Sequence, residues 1–322
     1  MQRIVVFSTV NKTFYGADGS FVPPVLTENL LNLWEPVVMN HRITVADLFE
    51  AKQQRRPIVA VSCYDYTTAR LVSQGSADML LVGDSAAQLI LGFDSTLPVT
   101  MDFMVTITAA VHRAAPDLYL AADMPFLSYH TTVAEAIRNA GRFLTEAGAQ
   151  IVKIEASDSY VETINAVTNA GIPVMAHIGI RPQRIGMTGR FRAEATKAEM
   201  AVELISLADR VVSAGAIALL IEGTAAEVAQ IITERSDVPV IGCGSGDGCD
   251  GQILIAPDIL GLTSGPGPKF TKRYADLGAQ GAEAFARYAE EVRAGRFPDP
   301  QHSYHMKPGE QQRLVEMLAK GS

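Results

Sequence analysis

Residues 148–178 read GAQIVKIEASDSYVETINAVTNAGIPVMAHI, and this stretch decides the fold class. Two short apolar runs, Ile151–Ile154 and Val174–Ile178, are separated by a segment long enough for a helix. Strands that are buried on both faces of a parallel sheet read as nearly continuous apolar runs, and the crossover between parallel strands is usually helical. The stretch therefore predicts a strand–helix–strand unit with parallel strands.

The same alternation of a short apolar run with a helix-length segment recurs on both sides of this unit, from Thr44 onward. Eight strands are predicted, at Ile58–Cys63, Met79–Gly83, Leu118–Ala122, Ile151–Ile154, Val174–Ile178, Ala218–Ile221, Val238–Ile241 and Ile259–Leu262. Three helices are predicted to begin with a Thr-x-x-Glu capping box, at Thr132 with Glu135, Thr196 with Glu199 and Thr224 with Glu227. Eight repeats over roughly 220 residues favour an α/β fold of the (β/α)8 type, a TIM barrel, over an open doubly wound sheet.

The first 40 residues differ in composition from the rest of the chain, because Pro23, Pro24 and Pro36 lie among aromatic residues. We expect residues 1–40 to form an N-terminal extension of unknown role, either an ordered arm or a product of start-site choice. Residues 41–322 are expected to form the barrel catalytic domain. The chain is 48% apolar and 19% charged, so it can bury a full core and does not have the composition of a disordered protein.

Composition also limits the partners and the compartment. Lys and Arg number 27 against 35 Asp and Glu, and the net charge of −8 offers no basic surface for nucleic acid or an anionic membrane. The three cysteines lack C-x-x-C spacing, which favours a reducing, cytoplasmic setting over a disulfide scaffold or a zinc site. Polar residues and a proline interrupt the longest uncharged stretch, residues 163–180, and the N-terminus does not resemble a signal peptide, so we expect no membrane segment.

The catalytic residues of a (β/α)8 barrel lie at the C-terminal ends of its strands. Three carboxylates, Asp84, Asp123 and Glu155, fall there on consecutive predicted strands. Together they would repel one another unless a cation lay between them. Oxygen ligands without clustered His or Cys favour Mg²⁺, with Mn²⁺ or Co²⁺ as alternatives, over zinc. For any one of these acids taken alone, a helix cap or an ion pair with a base is an equally good interpretation.

Four further polar side chains are predicted at the same end of the barrel. Ser85 follows Asp84, and Lys153 lies two residues before Glu155, so Lys153 and Glu155 point to the same face of their strand. Lys153 could hold a substrate carboxylate, or it could form a buried ion pair with one of the acids. Glu222 could act as general base on a carbon acid, or as a carboxylate at a helix N-terminus. His177 is given a supporting role.

Several segments match one known family in order and with barrel-like spacing. They are Leu81–Ser85, Asp94–Thr100, Ala122–Phe126, Val152–Glu155, Pro239–Gly242, Cys249–Leu254, Lys269–Phe270 and His302–His305. From about residue 42 to residue 306 the chain resembles the ketopantoate hydroxymethyltransferase family. The resemblance implies a barrel of the phosphoenolpyruvate mutase and isocitrate lyase superfamily, assembled as a homodecamer. It also implies transfer of a one-carbon unit from 5,10-methylenetetrahydrofolate to 3-methyl-2-oxobutanoate, giving 2-dehydropantoate in pantothenate biosynthesis.

The resemblance further implies a role for each candidate residue. Asp84, Asp123 and Glu155 match the Mg²⁺ ligands of the family, and Asp84, Ser85, Asp123 and Lys153 match its oxo-acid contacts. Glu222 matches the proton acceptor, which would remove the proton at C3 of the oxo acid.

The chain departs from the family pattern around the expected site, at Phe93, Thr106-Ile107, Gly186–Arg192 and Gly223-Thr224. These positions could shape the donor pocket or the pocket for the oxo-acid side chain. The alternative function is therefore a paralogue that uses the same metal-enolate chemistry on a different 2-oxo acid or donor, with Arg190 and Arg192 serving an extra anionic group. A non-catalytic barrel assembly protein is a weaker alternative, because a scaffold does not need the intact set of acids and Lys153.

Overall fold

The computed structural model describes residues 41–189, 192–263, 265 and 267–321. The extension predicted at residues 1–40 lies outside the described residues. No helix within these ranges is long and apolar enough to cross a bilayer.

Eight parallel strands close into a barrel in chain order. Pairing of β1 with β8, from Ile58 opposite Gly251 to Ser62 opposite Ile255, completes the ring. The predicted (β/α)8 barrel is confirmed. Its strands are β1 Ile58–Ser62, β2 Met79–Val82, β3 Tyr119–Asp123, β4 Ile151–Glu155, β5 Val174–Gly179, β6 Ala218–Glu222, β7 Val240–Cys243 and β8 Gly251–Ile255.

Helices follow most of the strands and cover the barrel. They are α1 Val45–Gln53, α2 Tyr66–Ser73, α3 Ala86–Leu89, α4 Met101–Ala114, α5 Val133–Thr145, α6 Val161–Asn169, α7 Ile185–Thr188, α8 Ala198–Ser213, α9 Ala226–Arg235, α10 Ala256–Leu260, α11 Leu277–Arg293 and α12 Glu310–Lys320. Short 3₁₀ turns lie at Asp158–Tyr160, Pro182–Arg184 and Pro300–His302.

Helix α5 shows how the sequence sets both the start and the buried face of a helix. Thr132 caps it, since its Oγ1 accepts a hydrogen bond from the N–H of Glu135 at 3.2 Å. Ala136, Ala140 and Phe143 lie on one face at helical spacing and are buried against the barrel. Burying a side chain of the size of Phe143 stabilises the fold by about 1.5–3 kcal/mol.

The predicted eighth strand, Ile259–Leu262, is wrong. β8 is Gly251–Ile255, and most of the predicted stretch belongs to helix α10 and the turn that ends it at Gly261. β8 has to begin with glycine, because a Cβ at Gly251 would lie 2.4 Å from the carbonyl oxygen of Ile58. A strand that begins with glycine reads as a loop, while Pro257 in the first turn of α10 is a typical helix start.

Two of the three predicted capping boxes are also wrong, and in the third Thr132 caps α5 while the Glu135 carboxylate accepts from the hydroxyl of Thr131. Helix α8 begins after Lys197 and helix α9 after Ala225, and neither residue makes a side-chain cap. Thr196 therefore lies one residue before the N-cap position of α8. The hydroxyl of Thr224 donates to the carbonyl oxygen of Glu222 at 3.2 Å, so it supports the end of β6 instead of a helix.

Candidate active site

The strand register brings the polar side chains of four neighbouring strands to one end of the barrel. Asp123 at the end of β3 pairs with Lys153 in β4, and Glu155 at the end of β4 pairs with His177 in β5. Glu222 ends β6 opposite Gly179. The site therefore has an acidic side on β2 to β4 and a second side centred on β6.

A cavity of about 260 Å³, which we call the central cavity, opens among these residues. Its polar wall includes Asp84, Ser85, Asp123, Lys153, His177 and Glu222. Its apolar wall includes Leu81, Leu220, Ile253 and Phe270. A mostly apolar pocket with a few convergent polar groups is the usual form of a small-molecule site.

Each of the three predicted metal ligands has one oxygen held in place. Asp84 accepts from the side-chain amide of Gln183 at 2.8 Å, and Asp123 accepts from the backbone N–H of Asp84 at 2.9 Å. Glu155 Oε1 accepts from the backbone N–H of Gln183 at 3.0 Å. Oε2 of Glu155 is buried without a hydrogen-bond partner, and Oδ1 of Asp123 is buried with the Lys153 ammonium 3.1 Å away as its ion-pair partner. A buried carboxylate oxygen without a partner calls for an additional ligand, and a cation supplies one.

The carboxyl groups are strongly perturbed. Burial raises the pKa of Asp84 to about 7, and repulsion by Asp123 adds to the effect. Burial raises the pKa of Glu155 to about 8, although the positive charge of Lys153 lowers it in part. A divalent cation would remove this penalty on the charged forms, so the donor set fits a hard metal ion.

Among the described residues, no three His, Cys, Asp or Glu side chains already stand close enough together to hold a metal ion. A cation bound by these acids would therefore take part of its coordination from water or from substrate oxygens. Mg²⁺ usually binds in this way, through one or two carboxylates together with waters and substrate.

Lys153 connects the acidic side of the site to Glu222 through His177. Its Nζ lies 3.1 Å from Oδ1 of Asp123 and 3.1 Å from Nδ1 of His177. Burial disfavours the ammonium, but the charges of the nearby acids outweigh it and raise the pKa of Lys153. Burial and the charge of Lys153 lower the pKa of His177 well below its ordinary value, so the imidazole is neutral. Because an ammonium can only donate, Nδ1 accepts and the proton of His177 is assigned to Nε2.

Glu222 has the properties of a base that faces the central cavity. Its Oε2 lies 3.3 Å from Nε2 of His177, although the contact lacks hydrogen-bond geometry. The side chain keeps 23% of its surface exposed, yet the surrounding protein separates it from bulk solvent and raises its pKa to about 7. A carboxylate with a pKa near neutrality is well suited to proton abstraction at neutral pH.

Sequence reasoning assigned no role to four residues that support the site. Gln183 holds Asp84 and Glu155, and Tyr129 donates to Oε1 of Gln183 at 2.8 Å. Ser245 donates to the carbonyl oxygen of Ile221 at 2.9 Å, next to Glu222. Tyr64 lies 2.8 Å from Oγ of Ser85. Tyr64, Gln183 and Ser245 do follow strand ends, and that position is the only signal that could have singled them out.

The departures from the family pattern lie mainly away from the central cavity. Phe93 is 45% exposed, and Thr106 uses its hydroxyl to donate to the carbonyl oxygen of Asp102 on its own helix. Neither they nor Ile107 are among the described residues that line the central cavity. Arg190 lies outside the described residues, and Arg192 is exposed.

A second cavity of about 410 Å³, the outer cavity, lies between the loops that follow β3, β4 and β5. Gly186 and Met187, at the start of the altered segment, form part of its wall. Glu155, Gln183 and Tyr129 also line it, and Gln183 contacts Asp84, which lines the central cavity.

Comparison with known proteins extends these observations. The model of a family described as ketopantoate hydroxymethyltransferase matches residues 42–300. The 3-methyl-2-oxobutanoate hydroxymethyltransferase of Geobacillus thermodenitrificans is 44% identical over 267 residues, which cover 83% of this chain and 96% of that protein. The enzyme of the same name from Hyperthermus butylicus is 47% identical over 277 residues, with 86% and 96% covered.

Solved structures of more distant proteins share the fold. A 2,3-dimethylmalate lyase, a member of the PEP mutase/isocitrate lyase superfamily, has a TM-score of 0.50 at 16% identity and covers 86% of this chain and 98% of its own. A phosphonopyruvate hydrolase in complex with oxalate and Mg²⁺ has a TM-score of 0.52 at 14% identity, with 84% and 97% covered. At this level of identity the likeness concerns the fold alone.

Proposed function

The chain belongs to the ketopantoate hydroxymethyltransferase family, and from this premise we propose that it transfers a hydroxymethyl group to 3-methyl-2-oxobutanoate in the central cavity. The donor in this proposal is 5,10-methylenetetrahydrofolate, and the product is 2-dehydropantoate of the pantothenate pathway. The observation that carries the proposal is the unpartnered buried Oε2 of Glu155 together with the buried Asp123–Lys153 ion pair, in the same barrel mouth as Glu222.

Asp84, Asp123 and Glu155 would hold a divalent cation, and Mg²⁺ suits this all-oxygen set best. When bound, the cation would act as a Lewis acid that stabilises negative charge on the oxo and carboxylate oxygens of the substrate. This assignment is supported by the raised pKa values of Asp84 and Glu155, which reflect acids that are buried together.

Lys153 and Ser85 would orient the oxo acid. The Lys153 ammonium is buried and faces the central cavity, so it offers a fixed positive charge to a carboxylate in an environment of low polarity. The Ser85 hydroxyl also lines this cavity, and Tyr64 fixes its direction. A substrate held from both sides needs little further ordering to react.

Glu222 would accept the proton from C3. The C3–H bond breaks, the proton moves to the carboxylate, and the electron pair is delocalised towards the oxo oxygen. C3 then attacks the methylene carbon of the donor as one of its C–N bonds breaks, and water supplies the hydroxyl oxygen of the product as the second C–N bond breaks and tetrahydrofolate leaves. The adjacent His177 is neutral and its assigned proton is on Nε2, 3.3 Å from Glu222, so it does not compete for the proton. A base positioned in this way accelerates proton abstraction by about 10²–10⁴-fold.

The location of three of the departures supports this function over the paralogue. Phe93, Thr106 and Ile107 do not line the cavity in which the oxo acid would bind, so they leave its shape to residues that match the family. The retained acids and Lys153 argue against a non-catalytic barrel, because a set of buried charges is costly to keep without a ligand.

Assembly into a homo-oligomer, a decamer as in the family, is part of the proposal. Helices α11 and α12 have no buried residue in the single chain, and Phe285, Tyr288 and Met317 are 76%, 56% and 62% exposed. Large exposed apolar side chains of this kind are typical of contacts with another chain. A cytoplasmic location is also proposed, and the free state of Cys63, Cys243 and Cys249 is consistent with it. Light scattering after size exclusion tests the assembly.

The reaction is tested in two halves. Deuterium exchange at C3 of 3-methyl-2-oxobutanoate, followed by NMR with Mg²⁺ and without folate, isolates the step assigned to Glu222. Glu222→Gln should abolish most of the exchange, whereas Glu227→Gln, on the exposed face of α9, should leave it unchanged. Addition of methylenetetrahydrofolate then tests transfer. Exchange with other 2-oxo acids but not with this one would favour the paralogue, and no exchange with any of them would favour a non-catalytic barrel.

A further inference from the structure

We propose that Gln183 is a positioning residue that fixes Asp84 and Glu155 relative to each other and so prepares the cation site before the cation arrives. The inference rests on the divalent cation site of the proposed function. It concerns a neutral loop residue that would not touch the substrate or the reacting atoms.

Gln183 is 6% exposed and contacts both acids with different parts of the same residue. Its side-chain amide donates to Oδ2 of Asp84 at 2.8 Å. Its backbone N–H donates to Oε1 of Glu155 at 3.0 Å. Asp84 follows β2 and Glu155 ends β4, so one residue sets the separation of two acids that come from different strands.

The orientation of the Gln183 amide follows from its other partners. Burial raises the pKa of Tyr129 well above its ordinary value, so the hydroxyl stays protonated and donates to Oε1 of Gln183. The amide nitrogen must then point the other way, where it donates to Asp84 and to the carbonyl oxygen of Met124 at 3.0 Å. Both amide donors and the acceptor are therefore used, and a flipped amide would place its oxygen against the carboxylate of Asp84.

The backbone around Gln183 is also fixed. Pro182 begins the 3₁₀ turn that carries Gln183, and its ring restricts φ. The guanidinium of Arg181 donates to the carbonyl oxygen of Ala156 at 3.0 Å, which ties this turn to the end of β4. The turn thus holds the Gln183 backbone N–H in place against Glu155.

A neutral amide is the chemically suitable group for this task. A lysine or arginine at the position would bring a positive charge to the acids and compete with a cation. The amide orients one oxygen of Asp84 and leaves the negative charge in place. Neighbours that hydrogen-bond to ligating carboxylates commonly change metal affinity by about 10–100-fold when they are removed.

The test compares Gln183→Met with a matched control, Gln150→Met. Methionine has a similar length but no amide, so the volume is nearly kept. Gln150 also bridges two groups, since it donates to the carbonyl oxygen of Ile43 and accepts from the N–H of Leu120, but it precedes β4 at the opposite end of the barrel. Gln183→Met loses buried amide hydrogen bonds and Gln150→Met loses partly buried ones, and we expect Tm to fall in both variants.

Mn²⁺ binding, measured by electron paramagnetic resonance without substrate, separates positioning from stability. Gln183→Met should weaken Mn²⁺ binding by about 10–100-fold, and Gln150→Met should not change it. Tyr129→Phe leaves Gln183 in place but frees its amide to turn, so it should weaken Mn²⁺ binding to a smaller extent. If Gln183→Met fails to fold, Tyr129→Phe still tests the inference.

Wild-type affinity for Mn²⁺ in both Gln183→Met and Tyr129→Phe would overturn the inference and leave the proposed function intact. Equal weakening in Gln150→Met would also overturn it, because the effect would then follow stability alone. A wild-type protein that binds no Mn²⁺ would overturn the cation site together with the inference.

Discussion

Replacement of Glu222 by glutamine should remove activity and at the same time stabilise the protein at alkaline pH. Glutamine has nearly the shape of the protonated acid, so the central cavity is kept while the base is lost. The rate of C3 exchange should fall by about 10²–10⁴-fold. Binding of the oxo acid should change little, because its oxygens would face Lys153, Ser85 and the acidic side of the site.

The gain in stability follows from the raised pKa. Burial raises the pKa of Glu222 from 4.5 to about 7, so the folded protein binds this proton more tightly than the unfolded chain does. The group therefore contributes stability below pH 4.5, and the contribution is lost as the pH rises through 7. One pKa unit corresponds to about 1.4 kcal/mol, so above pH 7 the ionised carboxylate costs up to about 3 kcal/mol. The amide of Glu222→Gln does not ionise, and the variant should therefore be the more stable protein at pH 8.

The same pKa sets the pH profile of the wild-type enzyme. The base is active when it is deprotonated, so C3 exchange should rise about tenfold between pH 6 and pH 8 and then level off. NMR exchange rates and thermal unfolding at pH 5 and pH 8 measure the two effects, with Glu227→Gln as the control. Exchange at the wild-type rate in Glu222→Gln would refute the role of the base, and an equal Tm of variant and wild type at pH 8 would refute the raised pKa.

Three other substitutions test the supports of the site and of the fold. Lys153→Met should lower the free energy of unfolding by about 3–5 kcal/mol in urea titration, because it leaves the buried charge of Asp123 without its cation; a change below 1 kcal/mol would contradict the buried ion pair. Gly179→Ala should destabilise the protein and slow C3 exchange, because a Cβ there would lie 2.2 Å from the carbonyl oxygen of Glu222 and φ is +88°; normal exchange would show that the end of β6 tolerates the shift. Thr132→Ala should cost about 1 kcal/mol in the same titration with unchanged activity, because only the cap of α5 is lost; loss of activity would contradict a purely local effect.

The barrel was predictable because its strands are buried on both faces and read as apolar runs. The same rule failed at β8, where Gly251 has to replace an apolar residue and Gln252 follows it. The apolar residues of Ile259–Leu262 gave a better strand pattern, but they follow the proline of α10. Periodicity could not detect the close backbone contact that decides between the two assignments.

The titratable residues of the site were predictable because barrels place chemistry at strand ends. Asp84, Asp123, Lys153 and Glu222 line one cavity for this reason, and Glu155 ends the strand that carries Lys153. Gln183 and Tyr129 were missed because a neutral amide and a phenol carry no charge pattern, and their importance depends on contacts between residues 54 positions apart. Long-range hydrogen bonds of this kind become visible only when the barrel register is known.

The strand register also explains why His177 is better described as a residue that links Lys153 to Glu222 than as a metal ligand or a general acid. It lies in β5, between the strand that carries Lys153 and the strand that ends at Glu222. Lys153 reaches Asp123 on one side and His177 on the other, so the ammonium is shared between the acidic side of the site and the base. A cation bound by the acids would repel this ammonium and weaken its hold on Asp123. The neutral imidazole next to it accepts from the ammonium and lies between the ammonium and Glu222, so the positive charge of Lys153 stays on the acidic side of the imidazole.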